Sequence, residues 1–467
     1  MGKTLFSPLF MPPVRDPGRS CGRLRGTEKT PQATKRLNVI PRDQHGISRK
    51  NISDSALKVM SRLRGAGYQA YLVGGAVRDL LLGGHPKDFD VATDATPEAI
   101  HALFRNSRVI GRRFRIVHVR FGREIIEVTT FRGHHESGSG ESGGRDGNHS
   151  RQSASGLLLR DNVYGTLEED AVRRDLTVNA LYYDAGSFEV FDHVHGMRDL
   201  QRRSVCVIGD PAVRFREDPV RMLRVVRFAA KLTFDIDHDT ARAIPGCAHL
   251  LREIPPARLF DEFLKLFLSG YGAATLEQLL RHDLLQYLFP ETDHHLHRDT
   301  TALALVRSAM ASTDARVAEE KPVTPAFILA ALLWPVAQRE SQHLANRGDP
   351  PMVAMHSAAQ QAVAEATRHI AIPRRFSQPM REIWEFQLRL ERRHGRRAAE
   401  LVDHRRFRAA YDFLLLRELA GEETGQLGAW WTEFQALSQE QRVERAAPGK
   451  DRSAGRRIRT RSSGARS

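Results

Sequence analysis

The chain has 467 residues, of which 41% are apolar and 27% charged, and a formal net charge of +15. That balance fits a chain with a substantial folded core, arranged as about three domains or one domain with long appendages. No run approaches the roughly 20 apolar residues of a membrane-spanning helix, so no integral membrane association is expected, and Cys21, Cys206 and Cys247 are too scattered for a disulfide framework or a four-thiolate zinc site.

The start of the chain lacks the apolar stretch of a signal peptide, and a reducing, cytoplasmic setting is expected. Residues 1–52 carry +8 and residues 445–467 carry +7, which leaves the stretch between them formally neutral. Both ends are polar and contain Pro, Gly or Ser. They read as disordered basic arms, over 1–37 and 438–467, that find polyanions. Nucleic acid is the expected partner, through counterion release from phosphates.

Regular patterning begins near Ser53. Leu57, Met60 and Leu63 recur at helical spacing, and the helix ends at Gly65 and Gly67. YQAYLVGG (68–75) is a strand running into a glycine turn, with a helix from about Ala76 and a second short strand at FDVAT (89–93). RIVHVRF (115–121) alternates, and EIIEVTTF (124–131) follows across Gly122–Arg123 as an antiparallel hairpin. Residues 134–156 hold 12 Gly or Ser and read as a disordered loop. Gly138, Gly140 and Gly143 spell G-x-G-x-x-G there, without the strand and helix that a dinucleotide site needs. From about residue 213 the strand signal disappears, and 3.6-period stretches continue to about 437. The predicted architecture is an α/β head followed by an all-helical body.

Three segments carry chemistry. In LVGGAVRDLLLGGHPKDFDVATDATPE (72–98), Gly74 and Gly75 end a strand and open a helix, where backbone N–H groups can approach a triphosphate closely. Asp88 and Asp90, two apart on a short strand, share a face. Adjacent carboxylates repel unless a cation lies between them, and Mg2+ suits one or two carboxylates plus substrate phosphates. Glu127, mid-strand in EIIEVTTF, offers a third carboxylate. The basic run Arg105, Arg108, Arg112, Arg113, Arg115, Arg120 and Arg123 suits a polyanion held across a metal site. In EEDAVRRDLTVNALYYD (168–184), Arg173 and Arg174 can hold phosphate or ribose, with Asp175 as another acid and Asn179 four residues on. In FREDPVRMLRVVRFAAKL (215–232), Asp218 and Pro219 form a helix start. Glu217, Arg221 and Arg224 stack on one face there, and Met222, Val225, Val226 and Ala229 form the buried stripe. An acid and a guanidinium so placed can read the edge of a base.

Together these segments resemble the polymerase-β type nucleotidyltransferases, the class of bacterial poly(A) polymerases and tRNA CCA-adding enzymes. Strand–GG–helix–DxD (Gly74–Asp90), RRD-x-x-x-N (Arg173–Asn179) and ED-x-x-R (Glu217–Arg221) occur in that family's order. NVIPRDQHGISRKNIS (38–53), GRRFRIVHVRFGREIIEVTTFRGHH, IPPARLFDEFLKLF (254–267) and FRAAYDFLLLR (407–417) resemble the poly(A) polymerase branch, and the resemblance runs from about 38 to 437. Leu176 and Val178 stand where the family usually has Phe and Ile.

The resemblance implies a polymerase-β-like head at 38–207, a helical neck with a nucleotide-selecting helix at 208–270 and an RNA-binding body at 271–437. It implies that Asp88 and Asp90 bind two Mg2+ ions, that Asp175 is a further active-site acid and that Glu127 is an auxiliary carboxylate near the attacking hydroxyl. Gly74, Gly75, Arg78 and Asp79 would frame the triphosphate. Arg174 and Asn179 would contact sugar and phosphate, and Glu217, Asp218 and Arg221, with Arg224 beside them, would select the adenine. The implied reaction is template-independent transfer of AMP from ATP to RNA 3′-ends, in mRNA processing and RNA decay, with RNA-decay proteins as partners. CCA addition and a non-catalytic RNA-binding adaptor are the alternatives.

Overall fold

The computed structural model describes residues 37–111, 115–133, 151–152, 158–160 and 163–447. The predicted N-terminal arm apart from Leu37, most of the predicted glycine-serine loop, residues 448–467 of the predicted tail, and Arg112 and Arg113 lie outside the described residues.

Ser53 accepts the Ala56 N–H and so caps α1 (Asp54–Gly65), whose Ala56, Val59, Met60 and Leu63 are buried. The head strands are β1 (Asn38–Ile40), β2 (Ala70–Val73), β3 (Asp90–Thr93), β4 (Ser107–Ile110), β5 (Ile116–Phe121) and β6 (Glu124–Thr130). Further on come β7 (Arg151–Gln152), β8 (Leu158–Arg160), β9 (Leu181–Tyr183) and β10 (Val190–Asp192). All but β7 and β8 form one mixed sheet in the order β1-β10-β9-β2-β3-β6-β5-β4. The β7–β8 pair is a separate antiparallel ladder, so Arg151–Gln152 depart from the loop predicted over 134–156. Asp88 also departs from expectation. It precedes β3, which begins at Asp90.

One face of the sheet is closed by α1 and α3 (Pro97–Leu103), over Val91, Val117, Val119, Ile126 and Val128, all fully buried. On the other face, α4 (Leu167–Arg173) brings Ala171 into a cluster with Val73, Ala92, Phe131 and Tyr182, above β9, β2 and β3 and beside the end of β6. Short α2 (Gly75–Leu81) leads off β2. The start of α5 (Gly196–Gln201) lies directly on the 3-10 turn Thr177–Asn179: a Cβ at Gly196 would overlap the Thr177 carbonyl. Only glycine permits that approach.

The neck contains α6 (Pro211–Glu217), α7 (Val220–Leu232), α8 (His238–Cys247) and α9 (Pro256–Phe267). Alpha-helical spacing on α7 buries Met222, Leu223, Val225, Val226 and Ala229 in a core that continues from Leu176 through Phe413. The valine, leucine and methionine side chains each contribute about 1.5–3 kcal/mol by their burial. Two corrections fall here. The helix starts at Val220, with Pro219 in the capping position and the Asp218 carboxylate accepting the Val220 N–H at 3.3 Å. A two-residue parallel ladder also joins β11 (Ser204–Val205) to β12 (Asp235–Ile236), past the point where strands were expected to end. Val205 and Val207 thereby pack with the neck rather than with the sheet.

Beyond α10 (Gly272–Arg281) the described body is helical. A second, smaller core of Phe407, Tyr411, Trp431 and Phe434 closes its C-terminal part, and Trp431 donates its indole N–H to the Leu390 carbonyl at 2.9 Å. The predicted tail is corrected at its start. Gln439–Arg445 is a helix with a capping box between Ser438 and Gln441.

Candidate nucleotide site between the sheet and the neck helix

Gly74 ends β2 with φ +76°, and a Cβ there would stand 3.5 Å from Asp90 Oδ2 and 3.9 Å from Arg174 Nη1. Backbone, acid and guanidinium therefore meet at one point. Phe89 is buried, while Asp88 is exposed and Asp90 partly so, which turns both acids outward from the core.

These groups line an open cleft of about 880 Å3. Gly74, Gly75, Arg78, Asp79, Asp88, Asp90, Arg174, Asp175, Asn179 and Arg224 all stand on its wall. Four other predicted residues do not: Glu127, Glu217, Asp218 and Arg221. Sequence reasoning missed Arg227, Phe228 and Lys231, which also face the cleft from α7, and Tyr271 at its outer end. Their spacing from Arg224, at three, four and seven residues, is the helical period that would have found the first three.

The cations of the cleft are held by specific partners. Arg174 stacks on Tyr182 and bonds Asp170 Oδ2 through Nε at 3.2 Å and Nη2 at 3.0 Å; Tyr182 donates to the same oxygen at 2.7 Å. Burial works to lower the Arg174 guanidinium, but Tyr182 and Asp170 outweigh it and hold it above its ordinary range. Burial likewise pushes the Asp170 carboxyl up, and Arg174, Arg173 and Tyr182 outweigh it, leaving it below the ordinary carboxylate range. Arg78 is almost wholly buried, with its guanidinium on Asn179 Oδ1 and on Asp79 Oδ1 at 2.7 Å. Asn179 sits on a 3-10 turn rather than one turn along the helix of Arg174, which ends at Arg173. Arg78, Arg224 and Arg227 all lie within 6 Å of the Phe228 ring centre.

Asp175 is paired with Arg224, Nε to Oδ2 at 2.5 Å, and accepts the Leu176 N–H. Burial works to raise its carboxyl, yet Arg224 and Arg221 hold it down to about 2. Asp90 is the opposite case. Burial, Glu127 and Asp88 push its carboxyl up to about 6, against the pull of Arg174.

At the α6–α7 corner, Glu217 accepts Arg214 at 2.7 Å and Arg221 at 2.8 Å, and Asp218 accepts Arg258 at 2.7 Å. Of the expected adenine-reading groups, Glu217 and Arg221 are thus engaged with each other and Asp218 with Arg258, all off the cleft wall, while Arg224 stands on it. Arg214 also donates to the carbonyls of Arg173 and Arg174, which ties the neck to the RRD segment. Burial and Arg221 lower the Arg214 guanidinium to about 10.

The acids fit a divalent cation. Among the described residues no three His, Cys, Asp or Glu side chains converge on one ligand point. Asp88 and Asp90 instead match a hard ion that takes two protein carboxylates and completes its shell with phosphate and water oxygens. The Asp90 carboxyl is raised first by burial and then by its acidic neighbours Glu127 and Asp88.

The chain is similar to known proteins over most of its length. Families described as the poly A polymerase head domain, a probable RNA and SrmB-binding site of polymerase A, and the polymerase A arginine-rich C-terminus match residues 70–206, 233–296 and 347–464. Poly(A) polymerase I of Salmonella typhimurium is 49% identical over 405 residues, 86% of each chain. A CCA-adding enzyme of Bacillus pumilus is 38% identical over 233 residues, 50% of this chain and 54% of that one. In three dimensions, the crystal structure of the Bacillus stearothermophilus CCA-adding enzyme in complex with CTP covers 81% of this chain and 80% of its own, with 25% identity and a TM-score of 0.56.

Proposed function

The chain belongs to the poly(A) polymerase family of nucleotidyltransferases, and on that premise we propose that it transfers AMP from ATP to the 3′-hydroxyl of RNA without a template. The observation that carries this reading is the cleft itself, where the glycine turn, the two acids, the RRD segment and the neck helix converge. The RNA 3′-oxygen forms a bond to the α-phosphorus, the bond to the pyrophosphate oxygen breaks, and the hydroxyl proton leaves to a base or solvent. Similarity over most of the chain lies with a poly(A) polymerase, while CCA-adding relatives match half of it, so CCA addition is not favoured.

Each group then has a task. Gly74 and Gly75 let the triphosphate approach the backbone, and Arg174, fixed by Asp170, presents Nη1 beside Asp90. Arg227, whose Nε is buried without a partner, and Lys231 complete the positive wall for the phosphates. Arg78 and Asn179 brace α2 against the 3-10 turn from beneath. Asp175 orients Arg224 rather than holding a metal. Glu217, Asp218 and Arg221 set the angle at which α7 enters the cleft, and through it the adenine end. We read Asp88 and Asp90 as the holders of two Mg2+ ions, which when bound activate the hydroxyl and offset charge on the departing pyrophosphate. Glu127, in register with Asp90, stands on the side of β3 away from α2, where the attacking hydroxyl enters.

The test is a product ladder. With a 3′-hydroxyl RNA and each nucleoside triphosphate supplied alone, ATP gives a long ladder and CTP little extension. A product stopping after CTP addition, with no extension by ATP alone, would replace this reading by CCA addition.

A further inference from the structure

Of the basic run, the described Arg105, Arg108, Arg115, Arg120 and Arg123 do not line the cleft, and the strand register shows where two of them go. Three pairings line up across the sheet: Asp90 with Glu127, Glu127 with His118, and His118 with Arg108. Residues opposite one another in register project to the same face. Asp90, Glu127, His118 and Arg108 therefore form one row across β3, β6, β5 and β4, spanning three strand intervals, or about 14 Å. Within the row, His118 Nε2 lies 3.1 Å from Glu127 Oε1. Arg120 and Ile125, opposite each other in the next row, face the same way.

Among the described residues, this half of the face is not covered as the rest is. α4 packs over β9, β2 and β3, whereas Arg108, Arg120 and Ile125 are exposed. Neither Arg108 nor Arg120 has an ion pair or side-chain hydrogen bond among the described residues, while Arg115 of the same run is paired with Glu98. Two unpaired guanidiniums and an exposed apolar side chain, in line with a catalytic acid, complement a single-stranded polyanion with bases to rest on.

We propose that the open face of β6, β5 and β4 is the track of the RNA primer, with its 3′-end at Glu127 and preceding phosphates on Arg108 and Arg120. The inference rests on the polymerase reading above and deepens it by locating the primer. It gives the chain an RNA contact in the head, next to the chemistry and separate from the helical body. His118 positions Glu127 from the primer side, and Ile125 offers an apolar rest for a base.

The experiment uses the full chain and a labelled oligoadenylate with a 3′-hydroxyl. In the double variant Arg108→Ala/Arg120→Ala, RNA affinity falls about tenfold and the slope of log affinity against log salt flattens by about 1.4, as for two single-strand phosphate contacts. The KM for ATP at saturating RNA stays at the wild-type value, and so does thermal stability, because both side chains are exposed and unpaired. Wild-type RNA affinity and salt slope in the double variant would overturn the inference while leaving the polymerase reading intact. Absence of AMP incorporation by the wild-type chain would instead remove the reading on which it rests. A raised ATP KM with unchanged RNA affinity would place these arginines on the nucleotide and also overturn the track.

Discussion

Asp90→Asn cuts AMP incorporation by about 10^3-fold or more without lowering stability. Among the described residues the carboxylate makes no hydrogen bond, so an amide of the same shape orphans no partner there. What it removes is one negative charge from a site where burial, Glu127 and Asp88 already push the Asp90 carboxyl up to about 6. A group whose folded pKa is raised destabilises the fold as pH climbs from the unfolded value near 4 through 6. The variant, measured in EDTA, should therefore lack that decline and melt at or above the wild-type temperature at pH 7. RNA affinity, set elsewhere, is unchanged. Activity within tenfold of wild type, or a clearly lower melting temperature, would count against the assignment of Asp90 to chemistry rather than architecture.

Asp170→Asn has the reverse signature, a loss of stability of about 3–5 kcal/mol with activity falling in consequence. Asp170 is 2% exposed and takes hydrogen bonds from Arg173, Arg174, the Tyr182 hydroxyl and the Arg132 backbone. Asparagine removes the buried counter-charge of Arg174 and loosens the hold of Asp170 on its Nε and Nη2, which fix the guanidinium beside Gly74 and Asp90. The wild-type carboxyl lies below its ordinary range, so its contribution is fully present above the unfolded pKa near 4 and is lost as pH falls through the folded value. Urea denaturation at pH 7 and at pH 3 checks this: the gap between wild type and variant is wide at the first and narrows at the second. A gap below 1 kcal/mol at pH 7 would contradict the bracing role.

How much of this was legible in the sequence depended on whether a feature is local. The pair Asp88 and Asp90, the doubled glycine and the RRD run are spacings of a few residues, and the structure sets Gly74, Gly75, Asp88, Asp90, Arg174 and Asp175 on one cleft. The hairpin was equally readable. Gly122 takes a positive φ at a two-residue turn, which sets Phe121 opposite Glu124 and, by counting back, His118 opposite Glu127. The parallel pairing that places Glu127 beside Asp90 is a crossover contact that no local spacing encodes.

Partnership among charges was the least legible feature. Arg78, Asp175, Glu217 and Arg221 carry the residue types of a binding site, but each is committed to a partner brought by another element or by the next turn of helix. Arg224 reaches Asp175 only because α7 lies against the head. Other gaps were readable and were passed over. Ser438 and Gln441 spell a capping box, and the cleft-facing stripe of α7 continues from Arg224 to Lys231 at helical spacing.

The most direct test of the central claim is a crystal structure of the full chain with Mg2+ and a non-hydrolysable ATP analogue. The triphosphate is expected between Gly74, Arg174 and Arg227, with carboxylate oxygens of both Asp88 and Asp90 coordinating Mg2+ against it. A nucleotide bound elsewhere, or both aspartates turned to solvent with no cation between them and the phosphates, would contradict it.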